Sequence, residues 1–103
     1  MTLAVAVTWH ARPGTEDRLE AILTEMSTLT RAEPGCLIYQ PHRSLDAPGV
    51  FFIYERFADE AAFTAHLDGE QYRRLVIDEA VALLEHRERS LYAVIEAAPT
   101  VRG

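Results

Sequence analysis

A two-layer α+β fold of the ferredoxin-like, split βαβ type is predicted, with a four-stranded antiparallel sheet carrying its helices on one face. Three observations predict it. The apolar period alternates between two and three-to-four in the order strand, helix, strand, strand, helix, strand. Pro-Gly pairs mark several of the joins. The length of 103 residues, 49% of them hydrophobic, suits one domain over 1–103, with a core at about 3–96 and a C-terminal tail at 97–103. Such a chain buries about two thirds of its unfolded surface, and a second domain has no room.

Residues Leu3 to Arg12 alternate, with Leu3, Val5, Val7 and Trp9 on one side, which is a strand pattern rich in β-branched residues. Pro13-Gly14 ends it. Thr15 is placed to cap a helix whose first turn holds Glu16 and Asp17, where the helix dipole favours negative charge. Leu19, Ile22, Leu23, Met26 and Leu29 form its apolar stripe, and Pro34-Gly35 stops it. Cys36 to Leu45 and Val50 to Phe57 form a hairpin through Asp46-Ala47-Pro48-Gly49. Asp59 caps a short helix to Leu67, which sets Phe63, His66 and Leu67 on one face. After Gly69, helical spacing resumes over 70–85, strand alternation returns over 88–96, and the tail beyond Ala97 is expected to fray.

The hairpin and last strand are apolar on both faces, with Phe51, Ile53 and Phe57 against Phe52 and Tyr54, and Leu91 and Ala93 against Tyr92 and Val94. Two helical regions cover only one face of a sheet, so a homodimer packed through the other sheet face is expected.

Charge and cysteine content exclude several partners. The net charge is −6 and all ten basic residues are arginine, so no Lys-rich patch attracts nucleic acid. A lone Cys36 allows no internal disulfide and no thiolate metal cluster, which suits the cytoplasm. No stretch approaches the roughly 20 apolar residues of a membrane span, so no membrane partner is expected. No Gly-rich phosphate loop is present, and His10, His42, His66 and His86 lack metal-ligand spacing, so neither cofactor nor metal is expected.

The candidate chemistry lies in single groups that converge from different elements. His66 faces the sheet and titrates near neutrality, so it is the candidate proton acceptor; a core-edge histidine bonded to Glu55 or a backbone carbonyl is the plainer reading. Glu55 is a carboxylate inside an apolar strand and needs a partner, either a protonated histidine or a substrate hydroxyl, or an arginine such as Arg56 or Arg43 across the dimer. Tyr39, Phe57, Phe63 and Tyr72, with Trp9, could wall a slot for a flat aromatic molecule, or simply form core.

These pieces resemble the antibiotic biosynthesis monooxygenase family, which includes quinol monooxygenases. The matching residues are Glu33-Pro34-Gly35-Cys36-Leu37-x-Tyr39, Phe52-x-Tyr54-Glu55-x-Phe57, Ala61-x-x-x-Ala65-His66 and the opening strand with Pro13-Gly14. The resemblance covers about Leu3 to Glu96. It implies a dimeric α+β barrel and oxidation of a quinol or hydroxylated polycyclic aromatic by dioxygen alone, with His66 and Glu55 catalytic and no bound cofactor. A non-catalytic binder of a small aromatic and a haem-binding or haem-degrading protein are the alternatives. Two departures bear on the specialised branches: Ile53 and Phe57 stand where the aromatic-polyketide branch has Asn and Trp, and Val7 stands where the haem-degrading branch has a first-strand Asn.

Overall fold

The computed structural model describes residues 1–98, so residues 99–103 of the expected tail lie outside them. Its elements are β1 (Leu3–Ala11), α1 (Glu16–Arg31), β2 (Cys36–Arg43), β3 (Val50–Phe57), α2 (Glu60–Asp68), α3 (Glu70–Tyr72) and β4 (Leu84–Ala93). A π-helical turn over Arg73–Ile77 and a 3-10 turn over Ala80–Leu83 join α3 to β4. The sheet runs β2-β3-β1-β4, each neighbouring pair antiparallel, which is the ferredoxin-like order predicted. Among the described residues no helix is long and apolar enough to cross a membrane.

Register decides which side chains meet. Leu3 pairs with Phe57, Val5 with Glu55, Val7 with Ile53 and Trp9 with Phe51, so the odd residues of both central strands share one face. Tyr39 on β2 lies opposite Glu55 and joins them. The stripe of α1 covers this face: Leu19, Ile22, Leu23 and Met26 are buried and pack with Trp9, Tyr39, Phe51 and Ile53. A second cluster of Leu3, Val5, Phe57 and Phe63 lies beneath α2. The helices leave β4 bare, and every β4 residue after Leu84 is exposed.

Local signals held with instructive exceptions. Asp59 caps α2, its carboxylate accepting from the Ala62 N–H at 2.8 Å. Thr15 precedes α1 but caps nothing; its hydroxyl donates to the carbonyls of Arg12 and Leu83, tying the β1–α1 corner to the start of β4. The helix expected over 70–85 ends early, and the strand expected over 88–96 begins at Leu84. Nine β1 residues need partners, and that tertiary demand overrides the i, i+3 spacing of Val81 and Leu84. The second strand stops at Arg43 rather than Leu45.

Gly35 is required twice over. Its φ is +82°, in the left-handed region, and a Cβ there would lie 2.5 Å from the Ala62 Cβ. Its carbonyl also accepts from the Ala58 N–H at 2.8 Å, so the end of α1 is fastened to the start of α2. Gly35→Ala is expected to lower stability by about 2 kcal/mol or more, read as a shift in denaturant midpoint at constant m-value.

Candidate functional site

The floor of a cavity of about 270 Å³ is made by strand residues and its roof by α2, α3 and the π turn. Val7, Trp9, Tyr39, Ile53 and Glu55 rise from the sheet; Phe63, His66, Leu67, Tyr72 and Val76 close it from above; Arg87, Glu88 and Arg89 of β4 stand at its side. The π turn contributes directly. Its i→i+5 bond from Asp78 N–H to the Arg73 carbonyl, 2.8 Å, accompanies a widened coil with Leu75 and Val76 buried beneath it.

Of the residues expected to form a site, His66, Glu55, Tyr39, Phe63 and Tyr72 all line this cavity. Phe57 does not. It is fully buried behind the wall, its ring 5.3 Å from that of His66 and 5.4 Å from that of Phe63, so it supports these groups from below. At the two positions where specialised branches carry Asn, Val7 and Ile53 present apolar walls.

His66 is almost wholly buried, with its ring between Phe57 and an edge-on Tyr72 at 5.3 Å. Its Nδ1 lies 2.7 Å from Glu33 Oε1, and the other Glu33 oxygen accepts from Gln71 Nε2 at 2.7 Å. A carboxylate only accepts, so Nδ1 carries the proton in this bond and Nε2 is left with its lone pair. Burial pulls the imidazole below its ordinary pKa, against the opposing pull of Glu33, so the ring is a neutral base near pH 7.

Glu55 has a different environment. It is 5% exposed, and its Oε1, 3.8 Å from His66 Nε2, makes no hydrogen bond within the protein. Desolvation pushes its pKa up to about 8, only partly opposed by Arg89, so the carboxyl is largely protonated at neutral pH. Within the chain, Arg43 pairs with Asp17 and Glu20, and Arg56 with Glu96. The site therefore holds a base with a free lone pair beside a neutral acid, both facing an apolar slot. Tyr39, whose hydroxyl burial keeps well above its usual pKa, adds a second neutral group. Burial and Glu33 likewise raise the Cys36 thiol, which does not suit it to nucleophilic work.

Glu33 was not among the site residues expected from the sequence, though one signal was there. It follows the last turn of α1, where the helix dipole disfavours negative charge, so its place implies an outside partner. Gln71 carried no such mark. Arg89 lies within the strand expected over 88–96, on the face of Leu91, and Arg87 joins it there once β4 is extended to Leu84.

Comparison with known proteins decides the family. Residues 2–76 match the family model for antibiotic biosynthesis monooxygenases. The chain belongs to that family. Rv0793 of Mycobacterium tuberculosis is 34% identical over 70 residues, 68% of each chain. The solved Rv0793 structure superposes with a TM-score of 0.87 at 28% identity, covering 96% of this chain and all of that one. PA3566 of Pseudomonas aeruginosa gives 0.86 at 28% identity, over 92% of this chain and 95% of that one. A solved antibiotic biosynthesis monooxygenase gives 0.84 at 26% identity, over 91% and 99%. The family assignment agrees with the resemblance carried by the Glu33–Tyr39, Phe52–Phe57 and Ala61–His66 segments.

Proposed function

We propose that this antibiotic biosynthesis monooxygenase family member oxidises a quinol or hydroxylated polycyclic aromatic with dioxygen, using no bound cofactor. The observation that carries this reading is the pairing of a neutral His66 Nε2 with the orphaned Glu55 Oε1, 3.8 Å apart, at one apolar cavity. The slot accepts a flat ring between Tyr39, Phe63 and Tyr72. A substrate hydroxyl gives its proton to Nε2, and Glu33 stabilises the imidazolium that forms. The electron-rich anion then transfers electrons to dioxygen. One oxygen atom is retained on the ring and the other leaves as water, with all four electrons and both hydrogens drawn from the substrate. Protonated Glu55 donates to the departing oxygen and is reset from His66. Apolar walls keep bulk water from quenching the anion.

Oxygen consumption tests this reading. An oxygen electrode run with hydroquinones, naphthalenediols and anthrones should record enzyme-dependent uptake, with product gaining one oxygen atom. Tight binding of the same compounds with no uptake would transfer the reading to a non-catalytic aromatic binder. Haem ligation fits the residues poorly, since Glu55 Oε1 stands 3.8 Å from His66 Nε2, the atom that would have to hold the iron.

The assembly belongs to the same proposal: a cytoplasmic homodimer through the uncovered sheet face, supported by the lone free Cys36 and by the exposed Ile38, Phe52 and Tyr92. Sedimentation should give twice the 11.6 kDa chain mass. Phe52→Glu should yield a monomer, because a charge placed on that apolar face opposes its burial.

A further inference from the structure

Two arginines beside the cavity differ from the others. Among the described residues, Arg18, Arg43, Arg56, Arg73 and Arg74 each pair with a carboxylate. Arg12 and Arg31 donate to backbone carbonyls. Arg87 and Arg89 do neither, although both line the cavity in a chain of net charge −6. Their placement follows from register. Arg87 lies opposite Trp9 and Arg89 opposite Val7, so both sit on the helix side of the sheet, about 7 Å apart along the strand. The intervening Glu88 also borders the cavity, but alternation turns its side chain to the other face, where its carboxylate accepts from His86 Nε2 at 3.0 Å. It does not neutralise them. The Arg89 guanidinium is held 5.5 Å above the Phe63 ring, a cavity wall, by cation–π attraction.

We infer that the molecule bound in this cavity carries a fixed anionic group, a carboxylate on a hydroxylated aromatic skeleton, which Arg87 and Arg89 grip while the ring enters the slot beneath His66. The inference rests on the cavity being the substrate site proposed above, and it narrows the substrate class. Guanidinium groups suit a carboxylate because their planar donors match its two oxygens. The protein as a whole repels anions, so a local pair of unneutralised cations is what draws one to this opening. Protonated Glu55, unlike Glu33 behind the imidazole, adds no negative charge to the slot itself.

Binding of 2-naphthoate and its uncharged isostere 2-naphthamide, followed by calorimetry, tests this without turnover. The acid should bind roughly tenfold or more tightly than the amide at low salt, with the gap narrowing as salt rises. In Arg87→Gln/Arg89→Gln the gap should close, while amide affinity changes little and Arg56→Gln on the opposite face leaves both unchanged. Equal affinities in the parent protein, a gap that survives in the double variant, or binding of neither compound would overturn the inference. The two readings fail separately. Oxygen uptake with neutral quinols and no preference for the acid removes this one alone, and acid preference with no uptake on any hydroxyarene removes the oxidation alone.

Discussion

Glu55→Gln should unfold at a higher temperature than the parent protein above pH 8, and at nearly the same temperature below pH 4.5. The carboxyl of Glu55 titrates at about 8 when folded, against an ordinary 4.5, because it is desolvated. A raised carboxyl pKa means that the folded state holds its proton more tightly than the unfolded state does. The stability it confers is therefore complete below pH 4.5 and is lost progressively as pH climbs to about 8. Across that window the loss is of order 5 kcal/mol. Gln is nearly isosteric with the protonated acid and does not titrate, so it escapes the penalty. The advantage of the variant should grow through pH 5–8 and then level off, by ten degrees or more in midpoint for a domain of this size. Thermal melts at fixed protein concentration across pH 4–9 measure it. A difference that stays flat with pH would mean that Glu55 is ionised in the fold and has found a partner.

His66→Ala should lower kcat/KM for oxygen uptake by a factor between about 10² and 10⁴, the range for loss of a general base. Glu33→Gln should cost less, on the order of tenfold or more, because Nδ1–H keeps an acceptor but the forming imidazolium loses its counter-charge. The double variant should be no slower than His66→Ala, since both residues act through one nitrogen. The pH profile separates this role from simple packing. Glu33 opposes the burial that depresses the His66 pKa, so in Glu33→Gln the acid limb of kcat/KM should move to lower pH. Matching acid limbs in parent and variant, with melting unchanged, would remove Glu33 from the mechanism.

The fold was largely legible because its signals are local. Alternation in β1 and β3, the stripe of α1, the Asp59 cap and the Pro-Gly stops each act within a few residues, and the antiparallel order follows from their sequence. The stretch over 70–93 was not. There the extent of β4 is set by β1, whose partnered residues lie 73 (Ala11 and Leu84) to 90 (Leu3 and Ala93) positions away, and the π turn has no compositional marker. The site divides in the same way. His66 and Glu55 stood out because a titratable group on an apolar face needs an explanation. Glu33 and Gln71 sit in unremarkable polar surroundings, and only the closure of α1 onto α2 through Gly35 brings them to the imidazole. Phe57 shows the limit from the other side, since alternation identifies the inward face but does not tell a wall from what lies behind it.

Glu55 is braced by β1 on one side and β2 on the other, at the middle of the sheet, whereas His66 rides on a nine-residue helix laid over it. The position of the acid is consequently fixed by strand register, and that of the imidazole by the seating of one helix. A substitution that reseats α2 would therefore change the spacing between base and acid without touching either residue, and the clasp at Gly35 is one place where that could happen.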